Sequence, residues 1–400
     1  MSPGRNNPSI ADGDALLAER VFDGHTWHIR TAVLVRGGRI VGLGPWGDVP
    51  PDWPQTRLPA GAFLAPGFID LQVNGGNGVF LNDQPTADGM RAIARAHRRY
   101  GTTACLPTLI SDTPEQIRTA VAAARSISGR DGVLGLHLEG PFISPRRPGV
   151  HRPDRIAKPG AGDLEQLCEL ASAGRSLVTL APECVPAGFV RTLASSGVRV
   201  AIGHSEAPAA VVMQAIADGA TGVTHLFNAM PPLSARVPGI IGVALTERQL
   251  TASLIFDGIH VDPILLRAAF AAKGSDGIAL ITDAMPTVGT SLDRFELGGR
   301  TIKLADGRLT TEEGTLAGAH LDMASAVRNA VTVGRLPLED TLRAASLTPA
   351  RFLGLDTERG VLVPGARADL VALTQDLRVI ATWCDGSIDI DLKSDQPPIG

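Results

Sequence analysis

Eight stretches of apolar and β-branched residues recur along the middle of this 400-residue chain, and most do not alternate with polar residues. They lie near 63–71, 102–108, 133–139, 177–182, 199–204, 222–226, 251–256 and 278–283. A strand with one wet face alternates, whereas a near-continuous apolar run marks a parallel strand covered on both sides. Between these runs the period changes. TADGMRAIARAHRRY (86–100) places Met90, Ile93, Ala94 and His97 on one helical face behind Thr86, an N-cap residue. TPEQIRTAVAAARSI (113–127) opens on Thr113-Pro114-Glu115, and EAPAAVVMQAIADG (206–219) closes on Gly219, a C-cap residue. Strand and helix alternate eight times, which predicts a (β/α)8 barrel over 63–355. The competing fold is an open doubly wound sheet. It places its ligand at one switch point, and does not draw polar residues from strands far apart.

The two ends differ in character. AVLVRGGRIVGLGP (32–45) carries Gly37-Gly38 between two apolar runs, a hairpin signal. GVLVPGARADLVALTQDLRVIATWCDG (360–386) is again short strands and turns. A small β-sandwich domain made from both ends, 15–62 and 356–400, is therefore expected beside the barrel. Residues 1–14 read as a flexible leader with no apolar core, so no secretory signal is expected. After 283, RFELGGRTIKLADGRLTTEEGTLAG (294–318) interrupts the alternation as a β-hairpin excursion, with turns at Gly298-Gly299 and Asp306-Gly307. It is placed to join a pocket rim. Residues 321–334 and 337–354 then return to helix.

Composition excludes several classes of function. The net charge of -4 favours neither nucleic acid nor an anionic membrane as partner. No apolar stretch is long enough to span a bilayer. Cys105, Cys168, Cys184 and Cys384 are scattered, so neither a disulfide framework nor a structural zinc cluster is expected. Cytoplasmic location is the default expectation.

Four polar groups stand where apolar runs end: Glu139, His204, His225 and Asp283. In a parallel barrel, groups at the strand C-termini share the one open face. A single such histidine is more often a hydrogen-bonded core residue than a ligand. Two histidines and one carboxylate together form the ligand set of a catalytic zinc, with a fourth position left for water. Asp283 could cap a helix; the functional alternative is a general base that takes a proton from water and returns it to a leaving nitrogen. His137 lies two residues before Glu139 and shares its face, in a supporting role.

Several motifs, in order, carry a family resemblance: HLEGPFI (137–143), GVHRP (149–153), GHSEA (203–207), THLFNAMPPL (224–233), RVPG (236–239), DGIH (257–260), TDAM (282–285) and LAGA (316–319). With PGFIDLQVNG (66–75) they resemble the branch of the amidohydrolase superfamily that deacetylates N-acetylglucosamine 6-phosphate. Many superfamily members carry His-x-His on that first strand for a second metal; here the positions are Gln72 and Asn74. The resemblance implies one divalent metal on Glu139, His204 and His225, with Asp283 as general base and acid; zinc fits that ligand set, and iron, cobalt or manganese would also bind it. It implies that His151 contacts the substrate and polarises the acetyl carbonyl, that Asn228 and Ala229 hold the sugar phosphate, and that His260 and Arg236 also bind substrate. Arg236 is expected to reach across from a neighbouring subunit of a homodimer, and Gln72 and Asn74 to face the substrate. Two departures stand out. Arg146, Arg147 and Pro148 replace the usual Lys-Gly-type run before His151, and Ala319 stands where a serine is common. The rival readings are the galactosamine epimer as substrate, a ring-amide hydrolase, and a sugar-phosphate sensor without turnover. Gln72 and Asn74 speak against the ring-amide enzyme, which needs His-x-His. Asp283 beside three ligands speaks against the sensor, because binding alone needs no proton shuttle.

Overall fold

A computed structural model describes residues 13–388. The leader expected over 1–14 therefore lies outside the described residues except for its last two, where the first strand, Asp14–Phe22, begins. Residues 389–400 of the expected C-terminal β-piece also lie outside them.

The two ends of the chain share one eight-stranded sheet. Asp14–Phe22 pairs antiparallel with Trp27–Arg36 on one side. On the other side it pairs with Gln55–Arg57 along its first half and with Phe63–Pro66 along its second. The sheet splits there and folds over a small core that includes Leu16, Val33, Ile40, Leu64, Leu370 and Trp383. This is the small sandwich expected from the chain ends. The C-terminal strand Leu370–Leu373 joins it by pairing with Phe63–Pro66. The hairpin between Trp27–Arg36 and Arg39–Pro45 turns at Gly37 and Gly38, with φ of 56° and 74°.

The barrel strands are β1 (Phe68–Val73), β2 (Thr102–Ile110), β3 (His137–Glu139), β4 (Leu177–Leu180), β5 (Arg199–Ile202), β6 (Gly222–Val223), β7 (Thr251–Ile255) and β8 (Ile278–Ile281). Each pairs in parallel with the next in chain order. The last strand meets the first. Asp283 N–H donates to the Gln72 carbonyl at 3.0 Å, and Asn74 N–H donates to the Ala284 carbonyl at 2.9 Å. The ring is a (β/α)8 barrel, not an open sheet. Between strands, Ala87–Arg98 is capped by the Thr86 hydroxyl and buries Met90, Ile93, Ala94 and His97, the predicted face. Pro114–Ile127 is capped by Thr113. All four cysteines are free thiols. Among the described residues no helix is long and apolar enough to cross a membrane.

Several boundaries differ from expectation. The run at 63–71 is two strands, broken at Gly67: Phe63–Pro66 belongs to the terminal sheet and only β1 to the barrel. A Cβ on Gly67 would come within 2.2 Å of the Thr103 side chain, so the crossover needs glycine. β5, β6 and β8 stop two residues short of His204, His225 and Asp283, because those residues have φ of 47°, 34° and 51°. Left-handed backbone ends a ladder. The expected helix over 206–219 begins only at Ala209, after Pro208 in extended conformation. The expected helix over 337–354 is two, Leu338–Ala345 and Leu347–Leu353, divided at Ser346. The excursion after β8 has three strands, Arg294–Leu297, Arg300–Ala305 and Arg308–Thr310. Its apolar side packs on Phe80, Ile110, Val150 and Met285 at the barrel mouth.

Candidate active site

The strand C-termini surround an open cleft of about 510 Å³. Glu139, the last residue of β3, is 3% exposed and points into its floor. His204 and His225 follow β5 and β6, and their left-handed backbone turns both rings toward Glu139. His204 Nε2 lies 3.1 Å from Glu139 Oε1, His225 Nε2 lies 2.9 Å from the same oxygen, and the two nitrogens are 3.1 Å apart.

For His204 the outer nitrogen fixes what the inner one is. His204 Nδ1 lies 2.8 Å from the Arg147 carbonyl, which only accepts, so Nδ1 carries the proton and Nε2 a lone pair. Two imidazole nitrogens and a carboxylate oxygen crowded within 3.1 Å of one another need a proton or a cation between them. The donor set fits one divalent ion, and the Arg147 carbonyl orients its ligand as metal-site partners do. His151 joins the cluster: its ligand atom, with those of Glu139 and His204, forms a group within 4.8 Å. Its tautomer is opposite. The Ser111 backbone N–H donates to His151 Nδ1 at 3.3 Å, so the proton of the neutral ring sits on Nε2, 3.8 Å from Glu139 Oε2. His151 is thus a hydrogen-bond donor to the cleft, and His225 is the better third ligand beside Glu139 and His204.

The titration directions follow from this packing. Burial works against ionisation of Glu139, but the imidazoles of His151, His204 and His225 around it outweigh that and hold the carboxyl well below the usual range. Burial, then the nearby His204, pushes His151 down to about 4 and keeps it neutral. His225 is raised: burial lowers it, and the Glu139 carboxylate more than reverses that. Asp283 is raised by burial and by the charge of Glu139. His137 lies in the barrel interior, with Nε2 2.8 Å from Thr179 Oγ1 and Nδ1 3.3 Å from Thr108 Oγ1. Burial takes it down to about 4, so it is a neutral spacer below the site.

Asp283 lies across the cleft floor from the histidines, and Oδ1 accepts from Gln72 Nε2 at 3.0 Å and from Asn74 Nδ2 at 2.6 Å. Asn228, Ala229 and His260 line the same cleft. The Asn228 amide donates to the His225 carbonyl at 3.2 Å. His260 Nδ1 is held by Asp257 Oδ2 at 2.6 Å. Arg236 is exposed and does not line the cleft of its own chain. Three residues that orient others were missed. Ser111 and Asp257 hold His151 and His260; only Asp257, three residues before its histidine, had a sequence signal. Glu206, just after His204, accepts from Arg147 at 3.2 Å and pairs with Arg146 at 3.0 Å, placing the unusual arginines on the cleft rim. Ala319 is buried at 2% exposure, and its N–H donates to the Asp283 carbonyl at 2.9 Å.

Comparison with known proteins gives the same picture. Residues 63–388 match the model of the amidohydrolase family. An N-acetylgalactosamine-6-phosphate deacetylase from Shewanella sp. (strain ANA-3) is 38% identical over 395 residues, covering 97% of this chain and 98% of its own. The crystal structure of N-acetylglucosamine-6-phosphate deacetylase from Pasteurella multocida is 33% identical, with a TM-score of 0.91 over 95% of this chain and 100% of its own. A variant of the Mycobacterium smegmatis N-acetylglucosamine-6-phosphate deacetylase, solved in complex with N-acetylglucosamine 6-phosphate, is 34% identical with a TM-score of 0.87 over 95% of this chain and 100% of its own.

Proposed function

The chain belongs to the amidohydrolase family, and we propose that it hydrolyses the acetamide of N-acetylglucosamine 6-phosphate to glucosamine 6-phosphate and acetate. The observation that carries the reading is the convergence of Glu139, His204 and His225 within 3.1 Å, with Asp283 on the same cleft floor. Glu139, His204 and His225 hold one divalent ion, zinc by the preference of two imidazoles and a carboxylate. When bound, that ion supplies Lewis acidity toward the carbonyl and lowers the pKa of water. His151 donates from Nε2 to the acetyl oxygen as negative charge develops there. Asp283 takes a proton from the attacking water, whose oxygen bonds to the carbonyl carbon. The same residue then returns the proton to the nitrogen as the C–N bond breaks, and acetate and the free amine leave. Asn228, Ala229 and His260, which line the cleft, would hold the sugar phosphate. Arg236 supplies the cation from a neighbouring subunit of a homodimer; its exposure beside the exposed Leu233 and Val237 supports this role. We place the enzyme in the cytoplasm, where a sugar phosphate is held.

The Shewanella relative gives specific reason to test the galactosamine epimer as well. Purified protein of known metal content is incubated with each phosphorylated acetamido sugar and acetate is assayed. Release from the glucosamine form, faster than from its epimer, is expected. A flat trace from fully metal-loaded protein with both sugars would favour a sensor. Asp283→Asn is expected to keep metal and fold and to lose nearly all turnover; near-normal turnover would remove Asp283 from its role.

A further inference from the structure

We infer that Gln72 and Asn74 are positioning residues for Asp283: two side-chain amides of the first barrel strand grip one carboxylate oxygen and leave the other to handle the proton. The inference rests on the hydrolase reading above.

Both amides come to Oδ1, from Asn74 Nδ2 at 2.6 Å and from Gln72 Nε2 at 3.0 Å. Gln72 is in β1 and Asn74 follows it, two positions apart, so their side chains leave the same face. An ionised carboxylate only accepts, so each amide must present its nitrogen to Asp283 and turn its oxygen away. Gln72 Oε1 and Asn74 Oδ1 are buried and have no hydrogen-bond partner. An unpaired buried acceptor is unfavourable, because it has given up water without gaining a partner. Two such acceptors at one residue show that the orientation is dictated by Asp283. Among the described residues Oδ2 accepts no hydrogen bond, so the carboxylate has one fixed and one available oxygen.

The backbone holds the same alignment. Asp283 N–H donates to Gln72 O at 3.0 Å, and the N–H groups of Asn74 and Gly75 both donate to Ala284 O at 2.9 Å. The amides and the base therefore sit on one hydrogen-bonded seam, and the left-handed φ of Asp283 turns its side chain back toward them.

This differs from the substrate-facing role expected from sequence. Gln72 is 1% exposed and does not line the cleft, so it reaches substrate only through Asp283. Asn74 lines the cleft at 0% exposure, with its amide nitrogen already used on the carboxylate.

The test uses full-length, metal-loaded protein and two substitutions of similar shape without a donor, Asn74→Leu and Gln72→Met. Each is expected to lower kcat about ten- to hundred-fold, the usual effect of removing an orienting partner, with KM and metal per chain unchanged. A second readout does not depend on turnover. In an Asp283→Asn background, calorimetric titration with N-acetylglucosamine 6-phosphate is expected to give the same affinity with and without Asn74→Leu. A raised KM with unchanged kcat, or weaker binding in that background, overturns the inference in favour of substrate contact. Loss of metal from either variant overturns it in favour of a metal-holding role, and full kcat in both shows that the grip does nothing. If Asn74→Leu does not fold, Gln72→Met carries the same comparison. A wild type inactive on both epimers overturns the hydrolase reading and this inference together; an active wild type with fully active variants overturns this inference alone.

Discussion

His151 and His204 lie with ring centroids 4.6 Å apart, yet they do opposite things because of what touches their outer nitrogens. The Arg147 carbonyl makes His204 Nε2 an electron-pair donor; the Ser111 N–H makes His151 Nε2 a hydrogen-bond donor. Substitution separates them. His204→Ala is expected to lose metal on dialysis. His151→Ala is expected to retain one ion per chain, with kcat down by about 10²–10³, the effect of removing a donor to a developing oxyanion. Metal analysis beside kcat checks both, and metal loss from His151→Ala would make that residue a ligand. The residue types at this site were legible because two histidines and two carboxylates followed apolar runs. Their tautomers were not. Each is set by a residue 57 or 40 positions away along the chain, and no local pattern encodes such a contact.

The repeating elements were legible for a similar reason: a strand covered on both faces is mostly apolar, so β1 to β8 left eight runs in the sequence. Their ends were not, since a left-handed residue such as His204 or Asp283 has the same composition inside a strand as beyond it. Gly67 shows the consequence. It separates the terminal sheet from the barrel inside one unbroken apolar run, and its missing side chain is explained only by Thr103, which β2 brings alongside. A Cβ there would meet Thr103 Cγ2 at 2.2 Å and Oγ1 at 2.3 Å. Thr103 is 2% exposed and β-branched, so it cannot swing away. Gly67→Ala is expected to destabilise by roughly 1–3 kcal/mol, as overpacking does, and Gly67→Ala with Thr103→Gly, which also removes the Thr103 Cβ at 2.8 Å, should recover part of that. Denaturant midpoints of the two single variants and the double variant measure the coupling. Simple additivity would mean that the clash is relieved by backbone movement instead.

Closure of the barrel joins residues some 210 positions apart, and the join contains a buried acid. Asp70 in β1 is 0% exposed; Thr282 Oγ1 donates to its Oδ2 at 2.6 Å, and the backbone N–H groups of Gln72 and Thr282 donate to Oδ1 at 3.1 and 3.3 Å. Burial raises this carboxyl from an ordinary 3.8 to about 7; the hydrogen bonds pull the other way, and the charge of Asp283 adds a smaller rise. The sign follows from proton counting. Below the ordinary value the group is protonated whether the chain is folded or not, and its favourable contribution is fully present. As pH rises toward about 7 the unfolded chain has already released the proton that the folded chain still holds, so stability falls. Above that value both states are ionised and the loss is complete, on the order of a few kcal/mol. Asp70→Asn cannot titrate, keeps a carbonyl oxygen for the backbone N–H groups of Gln72 and Thr282, and turns its amide nitrogen to the Thr282 hydroxyl oxygen. Its stability relative to the wild type should therefore improve from pH 5 to about pH 7 and level off above that. Urea denaturation of both proteins across that range checks this, since the ionisable groups other than Asp70 and its electrostatic neighbour Asp283 are shared and cancel in the difference. A flat difference would mean that the seam holds Asp70 ionised throughout, with its three hydrogen bonds outweighing burial.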